Sequence, residues 1–416
     1  MKQDLNSGSS PVPHAPNACQ TSFRVYACLT AVAICTLCAA TKAERGNDEW
    51  AIINLHPTGA TESHANSVTC GQQVGDAVVE GHGRASLWTG TAASWVHLAP
   101  GTFSSGAFGG ACGQQVGEYY SNMRTARIWS TEPSSGVDLH PAGTAESSAH
   151  ATDGTQQVGR ASFGILGNAQ HASLWTGTAA SWVDLNPAGS TESGAWGVSG
   201  GQQVGYANVD GISRASLWFG TSESWVDLNP AGSSASEALG VFGGQQVGRA
   251  NVGGENRASL WTGTSASWVD LSPIVSAGPS YSHGVHSGRQ VGFVTVSSAA
   301  HASLWRGTAE SWVNLHEFLP LGFSSSVARS IWCDGATTYV VGYGYNTATA
   351  RTEAIMWVKH CRADYDGNGT LAVPDIFAFL AVWFGGDVEL ANFNQDCCVN
   401  VQDIFAFLFA WFAGCS

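Results

Sequence analysis

The sequence is short of charged residues, and of lysine above all. Aspartate, glutamate, lysine and arginine make up 12% of its 416 residues, and only three are lysines, Lys2, Lys42 and Lys359. The formal net charge is −14. A protein that binds nucleic acid neutralises phosphates with a basic face. The sequence offers no such face, so we expect no nucleic-acid partner.

Long hydrophobic runs are also rare. The apolar run Val25–Ala40 has about 16 residues, whereas a membrane-spanning helix needs about 20. A polar leader precedes the run, and the small-residue stretch 41–43 follows it. This arrangement is typical of a secretory signal peptide. We therefore expect residues 1–43 to be removed and the mature chain, without a membrane span, to be secreted or held at the cell surface. A single membrane anchor is the alternative.

Internal repetition dominates the rest of the chain. Gln-Gln-Val-Gly begins at residues 72, 114, 156, 202 and 245, and weaker copies begin at 289 and 339, so the steps run from 42 to 50 residues. A tryptophan ends the next segment of each copy, and a segment similar to Trp-Val-Asp-Leu follows. A period of this length with several short strands is typical of the blades of a β-propeller.

Each repeat predicts four strands, a to d, from the axis outwards. The first d-like segment, Trp50–Leu55, has no strand a, b or c before it, and the last repeat reaches Trp357 without a strand d. The two fragments complete each other. We therefore predict a mainly β fold, a seven-bladed propeller over residues 44–359, with residues 49–55 paired beside residues 353–358. Closing the ring in this way removes exposed sheet edges.

The repeats resemble the extracellular HAF-type repeats over about residues 48–358. The segments 171–175 and 301–305, both His-Ala-Ser-Leu-Trp, carry the resemblance. Serine stands where that family has phenylalanine, and arginine often stands where it has histidine, as at Arg214 and Arg257. The resemblance implies an exported, propeller-like protein and no particular chemistry.

A different pattern begins after His360. Residues 364–375 match a twelve-residue calcium loop, with oxygen ligands at positions 1, 3, 5, 7 and 12 and glycine at position 6. Residues 392–403 repeat the loop, and the apolar segments Ile376–Phe384 and Ile404–Phe412 follow as predicted helices. The predicted Ca²⁺ ligands are Asp364, Asp366, Asn368, Thr370 and Asp375 in the first loop and Asn392, Asn394, Asp396 and Asp403 in the second.

This duplicated loop–helix pair, with aspartate at position 12, resembles the dockerin module of extracellular glycan-degrading systems. The resemblance covers residues 360–416 and implies a small α-helical calcium module that attaches to a cohesin-like or cell-surface partner. Asn392 and Cys397 replace the aspartate and glycine expected in the second loop, which predicts weaker calcium binding there. A helical hairpin held by disulfides rather than by calcium is the alternative.

Seven cysteines follow residue 43. Cys70, Cys112 and Cys333 occupy the same place in their repeats, and a closed ring puts them on consecutive blades. One pair bridged by a disulfide is one interpretation, and small residues buried in a tight turn is the other. The remaining four belong to the C-terminal module: Cys361, Cys397, Cys398 and Cys415.

Most aromatic and charged residues of the repeats predict structural roles. Thirteen of the 17 tryptophans occupy two repeat positions, which indicates packing rather than sugar binding. Trp196 breaks the repeat and is expected near the channel. Three cross-strand pairs are also expected to stabilise the blades: Arg214 with Asp227, Arg257 with Asp270 and His171 with Asp184.

Four glutamates without such partners are predicted in the connections from strand d to the next strand a: Glu62, Glu146, Glu192 and Glu237. The last three lie on consecutive blades, and with Trp196 they form the predicted ligand site at one mouth of the channel. A solvated polar rim is the alternative.

The predicted function is a secreted, non-catalytic propeller that binds an extracellular protein or glycan and is tethered through the calcium module. The alternative is a glycan-active hydrolase or lyase. A glycosidase needs two carboxyl groups about 5–10 Å apart in different environments. Repetition supplies similar environments, which favours binding.

Overall fold

The computed structural model describes residues 50–101, 103–131, 136–163, 169–394 and 398–414. The predicted leader and the predicted ligand Asp396 lie outside the described residues. Of the described residues, 50–361 form one compact unit, and those from Arg362 onward belong to another. None of the helices in the described ranges combines the length and apolar character needed to cross a membrane.

The first unit is a β-propeller of seven blades, each an antiparallel sheet of four strands. The first strand of every blade lines a common central channel. Blades 1 to 3 consist of β2 (Glu62–Thr69), β3 (Gln72–Val79), β4 (His82–Trp88) and β5 (Val96–His97); β6 (Ser104–Ala111), β7 (Gln114–Tyr120), β8 (Arg124–Ser130) and β9 (Val137–Asp138); and β10 (Glu146–Thr152), β11 (Gln157–Phe163), β12 (Ala169–Trp175) and β13 (Val183–Asp184).

Blades 4 to 6 repeat the same order of strands. They consist of β14 (Ser190–Ser199), β15 (Gln202–Val209), β16 (Ile212–Trp218) and β17 (Val226–Asp227); β18 (Ser233–Phe242), β19 (Gln245–Val252), β20 (Glu255–Trp261) and β21 (Val269–Asp270); and β22 (Ser280–His286), β23 (Arg289–Val296), β24 (Ala299–Trp305) and β25 (Val313–Asn314). Blade 7 consists of β26 (Phe323–Asp334), β27 (Thr337–Asn346), β28 (Arg351–His360) and β1 (Ala51–Asn54).

The N-terminal strand closes the ring. β1 pairs antiparallel with β28, so that Ala51 lies opposite Val358 and Asn54 opposite Ile355. The amide of Asn54 also donates to the carboxylate of the buried Glu353 at 2.8 Å. The mainly β, seven-bladed fold and its closure by the N-terminal strand are both confirmed.

The outermost strands are shorter than the sequence predicts. Strand d of blade 4 has only the two residues Val226 and Asp227, and the preceding Trp225 ends the short 3-10 turn Ser222–Ser224. The indole N–H of Trp225 donates to Ser216 Oγ in strand c at 2.8 Å. The tryptophan therefore anchors the turn instead of extending the strand, and four other blades repeat this contact.

One polar contact joins every blade to the next. A buried serine of strand a accepts a hydrogen bond from a backbone N–H in strand c of the preceding blade. Ser236 Oγ accepts from Ala215 N at 2.9 Å, and Ser63 Oγ accepts from Ala354 N across the closing interface. The other donor and acceptor pairs are Ala85 with Ser105, Ala126 with Ser147, Ala172 with Ser193, Ala258 with Ser280 and Ala302 with Ser326.

Apolar packing uses the same interfaces. Trp261, at the end of strand c in blade 5, is fully buried and packs with Val204 and Leu217 of blade 4. Its equivalents in the other blades are buried as well: Trp88, Trp129, Trp175, Trp218, Trp305 and Trp357. The packing role predicted for these side chains is confirmed. The three predicted cross-strand pairs are confirmed as well, each with a side-chain nitrogen 2.8 Å from an aspartate oxygen.

Cysteine placement settles one alternative left open by the sequence. Cys70 and Cys112 form a disulfide between blades 1 and 2, with their α-carbons 5.5 Å apart. Cys333, at the same place in blade 7, keeps its thiol, which accepts a hydrogen bond from Arg289 Nη1 at 3.0 Å. Cys361 is the last residue of the propeller unit and is also disulfide-bonded.

The second unit contains the helices α1 (Val373–Gly385), α2 (Val388–Ala391) and α3 (Val401–Ala413). The two long helices begin three residues earlier than predicted. Phe379 and Phe407 stack between them, with ring centroids 4.3 Å apart. Trp383 Nε1 donates to the carbonyl of Asn400, and Trp411 Nε1 donates to the carbonyl of Ala372. These contacts are reciprocal, so the two halves are related by an approximate twofold axis.

Candidate functional site

A β-bulge in every inner strand sets the wall of the channel. In β14 the register with β15 shifts between Ala195 and Gly197, which leaves Trp196 as an extra residue. A bulge redirects a side chain in this way, and bulges are common beside functional sites. The seven bulged residues, in ring order, are Asn66, Phe108, His150, Trp196, Leu239, His283 and Arg329. All seven line one cavity.

The glycine of each Gln-Gln-Val-Gly segment makes room for the bulge. A Cβ on Gly205 would collide with the carbonyl oxygen of Gly194 in the neighbouring strand a. The same collision with strand a occurs at the equivalent glycine of every blade. The repeated glycine is therefore a requirement of the bulge.

The cavity between the bulged residues is small and has two unlike sides. Its volume is about 170 Å³. Pockets for drug-sized ligands occupy roughly 300–1,000 Å³, so this one suits a small molecule or the end of a chain. Blades 2 to 5 contribute three ring side chains and a leucine, whereas blades 6, 7 and 1 contribute His283, Arg329 and Asn66.

Trp196 and Glu237 come together at the channel, as residues of neighbouring blades. The indole N–H of Trp196 donates to Glu237 Oε1 at 2.7 Å. Arg249 pairs with Glu237 Oε2 at 3.1 Å. His150 meets the Trp196 ring edge to face, with centroids 4.5 Å apart. The result is a fixed aromatic and charged cluster on one side of the wall.

The other predicted ligand residues, Glu146 and Glu192, lie nearer the beginning of their strands. Glu146 is the exposed first residue of β10, and Glu192 is the half-buried third residue of β14. With Glu62 they occupy equivalent positions, whereas Glu237 lies two positions further along strand a. The placement of these four glutamates in the connections between blades was wrong, because strand a begins earlier than predicted.

A tyrosine links Glu192 to the Trp196 cluster. The Tyr206 ring lies 5.9 Å from the Trp196 ring, centroid to centroid. Burial, helped by the negative charges of Glu192 and Glu237, raises the pKa of Tyr206 to about 12. Its hydroxyl therefore stays protonated and can serve as a hydrogen-bond donor.

Two histidines of the wall stay neutral. Burial, together with the positive charges of Arg160 and Arg124, lowers the pKa of His150 to about 3. Burial, with Arg329 beside it, lowers the pKa of His283 to about 3 as well. His283 Nδ1 lies 2.9 Å from the carbonyl oxygen of Ala328, so this nitrogen carries the proton and Nε2 is an acceptor. The sequence analysis did not select these histidines.

The first C-terminal loop clusters its carboxylates. One oxygen each from Asp364, Asp366 and Asp375 lies within 4.8 Å of the others. Asp364 Oδ1 is buried and has no hydrogen-bond partner within the described part of the chain. Burial and repulsion from Asp375 and Asp366 raise the pKa of Asp364. Asn368 Oδ1 accepts from Thr370 N at 2.8 Å, which tightens the turn around these oxygens.

The second loop repeats this geometry where it is described. Asp375 accepts backbone hydrogen bonds from Asp366 and Ala372, and Asp403 accepts the matching bonds from Asn394 and Asn400. Asn392 Oδ1, at the position equivalent to Asp364, is likewise buried and has no hydrogen-bond partner among the described residues.

No protein-family model matches the sequence, and no curated protein matches it. Solved structures similar in fold include the β-propeller domain of the Trilobed protease from Pyrococcus furiosus (9% identity, 72% of this chain and 97% of that chain, TM-score 0.49). They also include YCF48 bound to D1 peptide (12% identity, 77% and 99%, TM-score 0.46) and puromycin hydrolase (13% identity, 73% and 53%, TM-score 0.46). The chain spans about half the length of puromycin hydrolase. The fold is assigned from the strand order of this chain itself.

Proposed function

We propose that this protein is a non-catalytic binding protein whose central channel holds part of an extracellular protein or glycan. One observation carries the proposal. The bulge, its glycine and the inter-blade serine occur in all seven blades, yet the seven bulged residues comprise six different amino acids. The scaffold requires no such variety, whereas recognition of an asymmetric ligand does.

The contacts of the Glu237 carboxylate favour a binding role over a catalytic one. Its Oε1 accepts from Trp196 and its Oε2 pairs with Arg249. A general acid or base must exchange a proton with the reacting group. Because both oxygens are engaged, the carboxylate holds the cluster in place instead. Glu146 and Glu192 supply further polar contacts on the approach to it.

Trp196 provides the test of this function. A glycan and peptide array probed with the secreted chain identifies the ligand, and its affinity is then measured for Trp196→Ala. We expect a loss of at least tenfold, because the substitution removes the aromatic wall and releases Glu237. Phe219→Ala, at an exposed aromatic residue beyond strand c of the same blade, is the matched control and leaves the affinity unchanged. Equal affinity in the two variants would place the ligand elsewhere.

We also propose that the C-terminal unit is a dockerin-like calcium module. Asp364, Asp366, Asn368 and Asp375 would hold Ca²⁺ with side-chain oxygens and Thr370 with its carbonyl, as in other twelve-residue loops. The orphaned Oδ1 of Asp364 supports this assignment, because a buried carboxylate oxygen without a donor is costly. The second loop would bind more weakly through Asn392, Asn394, Asp396 and Asp403.

Calorimetric titration of the full chain with calcium chloride tests the module. We expect binding heat from a strong site that disappears in Asp364→Ala and remains in Glu310→Ala, an exposed carboxylate of the propeller. Absence of binding heat in the parent chain would show that the cysteines, not calcium, hold the module together.

Attachment to a protein partner is the role that we propose for this module. Its two long helices expose large apolar side chains at equivalent positions: Val373 and Val401, Phe377 and Phe405, and Phe384 and Phe412. Exposed apolar surface of this kind is typical of interaction sites. A cohesin-like or cell-surface protein would cover it.

The disulfide of the propeller supports export of the chain. Disulfides persist in oxidising compartments outside the cytosol, and Cys70 and Cys112 are bridged. We therefore propose that the chain is secreted after cleavage of residues 1–43. Amino-terminal sequencing of protein recovered from the producing cells tests this, with a start near residue 44 expected and an intact Met1 contradicting it.

A further inference from the structure

Arg329 is the one bulged residue that brings a charge to the channel. Asn66, Phe108, Trp196 and Leu239 have no ionisable group, and the pKa values of about 3 keep His150 and His283 neutral at physiological pH. Arg329 is exposed to the cavity that it lines. The seven-residue ring therefore has a single positive charge, on blade 7.

The guanidinium of Arg329 has no hydrogen-bond or ion-pair partner among the residues that the structure describes. Other cationic side chains around the channel do have partners within the protein. They are Arg249 with Glu237, Arg160 with Gln170, Arg124 with Glu118 and His64 with Asp76. The groups that feel its positive charge are instead two imidazoles, those of His64 and His283. Its five donors are therefore open to an acceptor from outside the described residues.

The side of the channel opposite Arg329 is aromatic and apolar. Phe108 stacks with His150, with ring centroids 5.2 Å apart, and His150 in turn contacts Trp196. Leu239 continues this surface on blade 5. In a ring of seven, blades 3 and 4 face blade 7. An occupant that reaches Arg329 with one end therefore places its other end against the aromatic side.

From this arrangement we propose that the channel binds a small ring-bearing carboxylate, with its carboxylate on Arg329 and its ring against Phe108, His150 and Trp196. A guanidinium donates two parallel hydrogen bonds to a carboxylate. One guanidinium charge beside the neutral imidazole of His283 matches a monoanion better than a doubly charged phosphate. The cavity of about 170 Å³ limits the occupant to one ring. The inference rests on the proposed function, because it assumes that the channel is the binding site.

Two sources of such a carboxylate are distinguished by four probes. The full chain is titrated in a calorimeter with galacturonate and benzoate and with their neutral counterparts, galactose and benzyl alcohol. We expect one carboxylate to bind at least tenfold more tightly than its neutral counterpart. Binding of galacturonate identifies an acidic sugar, and binding of benzoate identifies an aromatic acid. If neither carboxylate binds, or if the neutral counterpart binds equally well, the inference is wrong.

Charge variants locate the anion. We expect Arg329→Gln to weaken carboxylate binding at least tenfold, which corresponds to about 1.4 kcal/mol, and Arg329→Lys to weaken it less. Arg306→Gln removes one exposed positive charge from the outer turn of blade 6 and is the matched control, with no change expected. Unchanged binding in Arg329→Gln overturns the inference.

The two proposals fail in different ways. If Trp196→Ala loses the array ligand while Arg329→Gln keeps it, the channel still binds the ligand and only the role of Arg329 is wrong. If Arg329→Gln loses the carboxylate while Trp196→Ala keeps the array ligand, the anion site stands and the proposed placement of that ligand is wrong.

Discussion

The serine at each blade interface offers a direct test of how the ring is held together. Ser236 Oγ accepts from the buried backbone N–H of Ala215 at 2.9 Å and donates to Asn229 Oδ1. Ser236→Ala removes both contacts without adding bulk. The N–H of Ala215 then lies buried without an acceptor, because Ala215 is wholly inaccessible to solvent.

The expected cost follows from that stranded donor. Leaving a buried polar group unsatisfied costs about 1–3 kcal/mol. Asn229 is only partly buried, so its Oδ1 can accept a hydrogen bond from water once the bond from Ser236 is lost. That second lost contact therefore adds little to the cost. With a denaturant dependence of about 3 kcal/mol per molar urea, a loss of about 2 kcal/mol lowers the urea midpoint by about 0.7 M.

Ser234→Ala is the matched control in the same strand. Its side chain is exposed, and its hydroxyl donates to the side chain of Asn251 with no other hydrogen bond among the described residues, so we expect its midpoint to match that of the parent chain. Urea unfolding followed by tryptophan fluorescence compares the three proteins. Coincident curves for Ser236→Ala and Ser234→Ala would refute the reasoning, because they would show that the N–H of Ala215 finds another partner at no cost.

Further predictions concern the closing blade and the bulge. Burial opposes ionisation of Glu353, but hydrogen bonds from Arg351, Asn346, Thr349 and Asn54 outweigh it and lower its pKa to about 2. The stabilisation that comes from this lowered pKa is complete above the ordinary value of 4.5 and is lost as the pH falls towards 2. Glu353→Gln is expected to remove this pH dependence of stability, as measured by acid unfolding followed by circular dichroism. An acid-unfolding profile unchanged in the variant would contradict this prediction. Deletion of residues 44–56 exposes the edge of β28, so light scattering is expected to report aggregation, and a soluble, fully folded product would count against a need for β1 to close the ring. Gly205→Ala forces a Cβ against strand a and is expected to cost about 1–3 kcal/mol, measured as a fall in the urea midpoint; a midpoint equal to that of the parent chain would show that the bulge tolerates a side chain.

The blade number and the ring closure could be predicted from the sequence because both are set by repetition. A period of 42 to 50 residues has room for four short strands, and the two incomplete repeats at Trp50–Leu55 and Trp357 can be completed only by each other. Burial of the repeated tryptophans follows from the same logic. A side chain that recurs in every blade serves what every blade shares, which is the contact with its neighbour.

The channel wall could be predicted only in part because a bulge changes which residue faces inward. Simple alternation along strand a does not place Arg329, His150 or His283 at the wall, and the charged residues that drew attention, Glu146 and Glu192, stand nearer the start of their strands. Trp196 was found because its size breaks the pattern. The position that sequence reasoning missed lies, in five of the seven blades, two residues before a Val or Ile near the end of strand a, and it is where the repeats differ most.

Closure of the ring by β1 has a consequence for the order in which the chain can reach its final form. Asn54 and Glu353, joined across the closing blade, are 299 residues apart in sequence. During synthesis β1 therefore emerges first and waits for a partner until nearly the whole ring has been made. Contacts of such long sequence separation form late, since they bear the largest loop-closure entropy. Until then the waiting strand of one molecule can pair with the open edge of β28 in another, so a crowded nascent pool favours exchanged strands and linked rings over closed monomers.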